Sequence, residues 1–284
     1  MSPLVHHEER RGLSRSHRVM GLLGAIWLAA TVGGTARADA AVERESNVEG
    51  RVTREERPFG FVAAGTTPSR EVWSLGYTFA TGSGISAERP IPVDMMHAGA
   101  SHTLLLAYGL TGRLAPFASV TISAREPTSG LSTTVMAGTR YQFTDPEGPL
   151  HLTVSGAVIG EGASGSAGIS ALAAASFDGG PICFATNLQA DRVFATGRDS
   201  VDLTVSGGIS YRVLSLLRLG VEYVGQDLED AFEEDAEGGA RMAAGPSAAL
   251  DLDRGRYQIT IASAFGLTAK SPTAVFRAGI TFNY

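Results

Sequence analysis

From about residue 72 to the C-terminus the side chains alternate between apolar and small or polar, in blocks of about ten residues. The last block is the clearest: Ala274, Phe276, Ala278, Ile280, Phe282 and Tyr284 share one parity, while Val275, Arg277, Gly279, Thr281 and Asn283 share the other. A period of two is the signature of a strand, whose successive side chains point to opposite faces; a helix would repeat every 3.6 residues. One face of each strand is therefore apolar and the other mostly polar. That limits the chain to a sheet with two different environments on its two sides.

Twelve such blocks follow one another, at residues 73–79, 104–110, 118–122, 135–143, 150–158, 169–177, 182–190, 201–211, 217–223, 242–250, 257–265 and 274–284. Gly, Pro, Asp, Glu and Ser fill the breaks between them. The number is even, and each strand with its connection takes about 18 residues. A tilted strand of about ten residues crosses a hydrocarbon layer of about 25 Å, and only a closed barrel leaves no unpaired edge in lipid. The expected fold is all-β: a single antiparallel up-and-down transmembrane β-barrel of about 12 strands over residues 72–284.

A secreted soluble sandwich would show the same alternation with the apolar face turned inward. Three features favour the membrane arrangement. The polar faces consist mainly of Gly, Ser, Thr and Ala, and the whole chain is only 18% charged with Lys270 as its one lysine; a water-facing exterior would carry many more ions. Aromatic residues, among them Trp73, Tyr141, Phe143, Tyr211, Tyr257 and Tyr284, sit near the ends of the apolar faces, as interfacial girdles do. Longer connections follow the odd strands, and tighter ones (residues 144–149, 178–181 and 253–256) follow the even strands.

The first 38 residues read as a secretory signal peptide. Arg10, Arg11, Arg15 and Arg18 precede an apolar run from Val19 to Val32, and small residues close the segment at Ala36-Arg37-Ala38. The run is short for a helix that spans a bilayer, so an uncleaved anchor is the weaker alternative. Cleavage after Ala38 leaves a net charge of −9, against −6 for the whole chain. This acidity argues against nucleic-acid binding. A lone cysteine, Cys183, excludes an intramolecular disulfide framework and any cysteine-rich zinc site.

The signal segment, the C-terminal block AVFRAGITFNY ending in Tyr284, and the stretch YGLTGRL from Tyr108 to Leu114 together resemble the bacterial outer-membrane β-barrel superfamily. In such barrels a terminal aromatic with alternating apolar partners, here Phe276, Ile280, Phe282 and Tyr284, resembles the signal read by the outer-membrane assembly machinery. Phenylalanine is the commoner last residue. The YGLTGRL stretch resembles the tight Gly-Leu-Thr-Asp-Arg turns of these families, with Gly112 in place of the aspartate. The resemblance covers about three quarters of the chain. It implies a place in the cell outer membrane, with long outer loops, short periplasmic turns and periplasmic termini. On activity it is nearly silent.

Residues 39–71 are charged and poorly periodic, as in ERESNVEGRVTREERP. They read as a flexible periplasmic tail or as a partial plug folded into the barrel. Residues 227–237 carry seven acids and no base in the outer loop after the ninth strand. That run reads as a solvated, repulsive loop; its spacing lacks the glycine of a calcium loop. His97 and His102 near the first outer loop read as exposed loop histidines rather than a metal pair. Ser101 beside His102 faces the opposite side, so it does not make a nucleophile pair. Cys183 reads as a small lumen or rim residue. The Gly-rich run at 160–168 precedes a strand and lacks the Lys-Ser/Thr of a phosphate loop.

No catalytic constellation, metal site or cofactor is expected. The residues expected to line the lumen are Arg140, Arg212, Arg218 and Arg277 against Asp202, Glu222 and Asp251. They would set field and constriction in a passive pore for small solutes, or pair into a network that fills the barrel. The alternative function is a non-conducting surface scaffold or adhesion barrel that acts through its outer loops. Membrane lipid and the assembly machinery are the implied partners.

Overall fold

The computed structural model describes residues 59–284, apart from 64, 85–94, 97, 126–129, 163–164, 196–200 and 229–239. The segment expected to be a signal peptide, residues 39–58, His97 and most of the acidic loop lie outside the described residues. The strands are β1 (Trp73–Gly84), β2 (Gly99–Tyr108), β3 (Leu114–Arg125), β4 (Leu131–Gln142), β5 (Leu150–Glu161), β6 (Ala167–Gly179), β7 (Ile182–Val193), β8 (Asp202–Arg212), β9 (Leu217–Gln226), β10 (Arg241–Leu252), β11 (Tyr257–Gly266) and β12 (Pro272–Asn283). Each pairs antiparallel with its neighbours in the chain, and β12 returns to pair with β1, which closes the barrel. The closing register runs from Ser74 opposite Asn283 to Ser83 opposite Ala274, with an irregularity at Gly84. All twelve expected strands form. The block that looked weakest in the sequence, around Ala118, extends to the full β3 because its polar and small residues still alternate.

Adjacent residues decide which face meets what. Val221 is 57% exposed and Glu222 is 2% exposed; Ile209 is 54% exposed and Ser210 is 2% exposed. The apolar parity lies on the outside of the barrel and the small or polar parity on the inside. A soluble barrel would bury Val221 and Ile209, because each buried aliphatic side chain is worth about 1.5–3 kcal/mol in water. Here that surface has a stable environment only in lipid.

The connections after even strands span residues 109–113, 143–149, 180–181, 213–216 and 253–256, at the barrel end that also holds Trp73 and Tyr284. Those after odd strands lie at the other end, and two of them, 85–98 and 227–240, are the longest in the molecule. The tightest, Gly180-Pro181, needs Gly180 at φ 82°, a left-handed conformation that only glycine adopts without strain. Trp73, Tyr141, Tyr211, Tyr257 and Tyr284 all sit at the end with the termini. Trp73 packs on Tyr108 with ring centroids 4.6 Å apart, and Tyr257 meets Phe282 edge-on at 5.6 Å.

His102 lies on β2 rather than in a loop. Its side chain is on the outer face, where Tyr77 Oη is 2.7 Å from Nδ1. Neighbouring Ser101 is buried on the inner face. The Gly-rich run is shortened from both sides, by β5 ending at Glu161 and β6 beginning at Ala167.

Candidate functional site

The inner wall carries its charges in tiers. Near the end with the termini, Arg212 stands directly opposite Arg218. Arg218 Nη2 meets Asp178 Oδ2 at 3.0 Å, and Gln258 Nε2 donates to Asp251 Oδ1 at 2.5 Å. Arg140 lies on β4, with its guanidinium 6.0 Å from the centre of the Phe117 ring. Midway along the strands are Glu222 on β9 and Arg277 on β12. Towards the loop end Asp191 stands opposite Asp202, and Gln189 Nε2 donates to both Asp191 carboxylate oxygens at 3.1 and 2.9 Å. Arg241 Nε meets Asp227 Oδ2 there at 2.6 Å.

These tiers surround a piece of the chain itself. Residues 59–63 and 65–68 run along the inner wall before β1 begins, and their backbone is held by wall side chains. Gly60 N donates to Glu222 Oε1 at 2.8 Å and Phe61 N to Glu222 Oε2 at 2.6 Å. Asn187 brackets Ala63: with its nitrogen turned to Ala63 O (3.1 Å) and its oxygen to Ala63 N (2.6 Å), both groups are satisfied. Gly65 N donates to Ser176 Oγ at 3.3 Å. Arg140 Nη1 donates to Thr66 O at 3.1 Å, and Thr67 N donates to Gln142 Oε1 at 3.1 Å. A carboxylate that accepts from two successive N–H groups makes charge-assisted bonds, which are the strong kind. Glu222 is thus the firmest polar hold on the segment.

Apolar contacts follow the same path. Phe59 and Val62 form a buried cluster with Cys183 and Ala185. Gly208 makes room for it, because a Cβ there would stand 2.7 Å from Phe59 Cε1. Phe61 joins Val224, Ala243, Ala262, Ala264, Val275 and Met96 in a second buried cluster, and the Arg277 guanidinium carbon lies 5.3 Å from its ring centre. Met96 comes from the connection between β1 and β2. Met95 N donates to Gln226 Oε1 at 3.0 Å, and Arg241 Nη1 donates to Met96 O at 3.2 Å. Glu222 and Arg277 therefore meet at one residue, Phe61, while Arg212, Arg218, Asp202 and Asp251 lie at other levels of the wall.

Several wall residues were not singled out from the sequence: Gln142, Ser176, Asp178, Asn187, Gln189, Asp191, Gln226 and Arg241. One signal was available for their partner. At Pro58 the charged run ends and FGFVAAGTTP begins, an apolar and small-residue stretch unlike the tail before it.

No family model and no curated protein matches the sequence. Among solved structures, the COG4313 outer membrane channel from Pseudomonas putida F1 is similar, with a TM-score of 0.53 and 12% identity over 81% of this chain and 100% of that one. The KdgM porin (TM-score 0.49, 11% identity, 74% of this chain and 99% of that one) and the NanC porin (0.48, 11%, 73% and 98%) are also found. The chain shares with the COG4313 outer membrane channel the fold of a closed antiparallel barrel, here with an apolar outer surface.

Proposed function

We propose that the protein is a channel for small solutes across the outer membrane, narrowed by its own residues 59–68 acting as a partial plug. One observation carries this reading: the barrel interior is wide enough to hold a stretch of chain, and wall side chains rather than a partner strand grip that stretch. Hydrogen bonds of this kind contribute about 0.5–1.5 kcal/mol each when neutral and about 1.5–3 kcal/mol when charged, and water can replace them. A strand inserted in the sheet could leave only by opening the barrel. Arg140, Arg212, Arg218 and Arg277, with Asp202, Glu222 and Asp251, set the field along the path. We also infer that Phe276, Ile280, Phe282 and Tyr284 are what the assembly machinery reads, and that Trp73, Tyr141, Tyr211 and Tyr257 anchor the barrel at the lipid–water boundary.

Planar-bilayer recording tests the channel. The chain from residue 39 onward should show small unitary currents, and deletion of residues 39–67 should raise them at least threefold. If both forms fold and neither conducts, the channel is wrong and a barrel acting through its outer loops becomes the better reading.

A further inference from the structure

The place filled by Phe61 has the make-up of a ligand subsite. The wall around it comes from four consecutive strands, β9 to β12, through Val224, Ala243, Ala262, Ala264 and Val275. Three of the five are alanines, and together they form an apolar recess in an otherwise polar interior. The recess has a polar rim on two sides. Glu222 Oε2 accepts the Phe61 N–H at 2.6 Å, and Arg277 presents its guanidinium to the ring at 5.3 Å. The Nε of Arg277 is buried without a hydrogen-bond partner. An aromatic face, an N–H donor aimed at a carboxylate, and a vacant donor on an arginine define a chemistry that Phe61 meets only in part. It supplies the ring and the donor, but nothing for Arg277 Nε.

We propose that this recess is a binding subsite for small aromatic solutes carrying both an N–H donor and an acceptor, as aromatic α-amino acids and their small derivatives do, and that Phe61 occupies it as a built-in competitor. The inference rests on the channel reading and names the solute class. In the bound state the solute ring takes the place of the Phe61 ring against the alanines. The ammonium or amide N–H takes the place of the Phe61 N–H on Glu222, and the carboxylate or carbonyl accepts from Arg277. A cation over an aromatic face and a charged hydrogen bond both strengthen when water is excluded from the site. Phe61→Ala would empty the ring's place but leave the N–H of residue 61 on Glu222, so all of these contacts become available together only when the segment itself is removed.

The test uses the chain from residue 39 in detergent micelles, with folding checked by heat-dependent gel mobility. Binding of L-phenylalanine, 3-phenylpropanoate and L-leucine is measured by equilibrium dialysis. The chain lacking residues 39–67 should bind L-phenylalanine at least tenfold more tightly than the unaltered chain does. It should bind 3-phenylpropanoate, which lacks the N–H, and L-leucine, which lacks the ring, at least tenfold more weakly than L-phenylalanine. Adding Glu222→Gln should weaken L-phenylalanine binding at least threefold. If that chain does not fold, the shorter deletion of residues 39–61, which removes both N–H groups held by Glu222 as well as the Phe61 ring, gives the same comparison. A folded variant that binds none of the three, or binds 3-phenylpropanoate as well as L-phenylalanine, overturns the subsite. Conduction without such binding leaves the channel standing and removes the aromatic site; binding in a chain that never conducts does the reverse.

Discussion

Val221 and Glu222 are neighbours in the chain and opposites in environment. One faces lipid; the other faces the interior and holds two backbone N–H groups. The difference is testable one residue at a time. A cationic side chain on the lipid face near the bilayer midplane costs about 2–4 kcal/mol. Val221→Arg should therefore destabilise the barrel by about that amount, read as urea unfolding in phospholipid vesicles. An effect below about 1 kcal/mol would mean that Val221 does not lie in hydrocarbon. Glu222 has a different dependence, because its two oxygens each accept from one N–H group. A glutamine there has one accepting oxygen and turns an NH2 group toward the second donor, so one buried N–H loses its partner.

At the scale of elements, the entering segment and the first turn fit each other at Gly109. A Cβ at that position would collide with Ser69 O and stand 2.7 Å from Pro68 O. Glu71 N donates to Gly109 O at 2.7 Å and Gly109 N to Val72 O at 2.9 Å. Even alanine cannot be placed there without moving the backbone of residues 68–69. Gly109→Ala should loosen the segment while leaving the strands intact, seen as at least threefold faster trypsin cleavage after exposed Arg70 with unchanged heat-dependent mobility. Equal cleavage rates would count against the close approach. Gly109 also shows what could be read beforehand. The stretch around it was recognisable as a tight turn, because turn chemistry is local. Its second role, leaving room for the backbone of Ser69, was not readable, because that contact joins residues forty apart in the chain. The same holds for Glu222 and Phe61, separated by 161 positions. Strands announce themselves at every second residue, so β1 to β12 were legible, including the faint β3. Side chains that catch a distant backbone leave no periodic trace. Glu222 and Arg277 could be named as interior ions, but the residue at which they meet could not.

The whole molecule depends on closure. β12 is last in the chain and pairs with both β11 and β1, so the final residues close the barrel. Ile280, Thr281, Phe282 and Asn283 lie opposite Tyr77, Gly76, Leu75 and Ser74. Tyr284 N donates to Trp73 O at 2.8 Å, and Trp73 N donates to Tyr284 O at 2.9 Å. An unsatisfied backbone group in hydrocarbon costs several kcal/mol, so a barrel open along one seam is not a stable membrane structure. Removal of residues 280–284 strips partners from both seam strands and should abolish refolding into lipid vesicles, with no heat-modifiable band. Tyr284→Ala keeps the backbone pair with Trp73 and should refold in vesicles with at least half the yield of the unaltered chain. Inside cells the two requirements separate. There the terminal aromatic is also, on our proposal, what the assembly machinery reads, so Tyr284→Ala should lower the amount of barrel in the outer membrane at least threefold despite intact refolding in vesicles. Equal losses in vesicles and in cells would mean that Tyr284 serves the seam alone, and that recognition lies elsewhere in β12 or outside it.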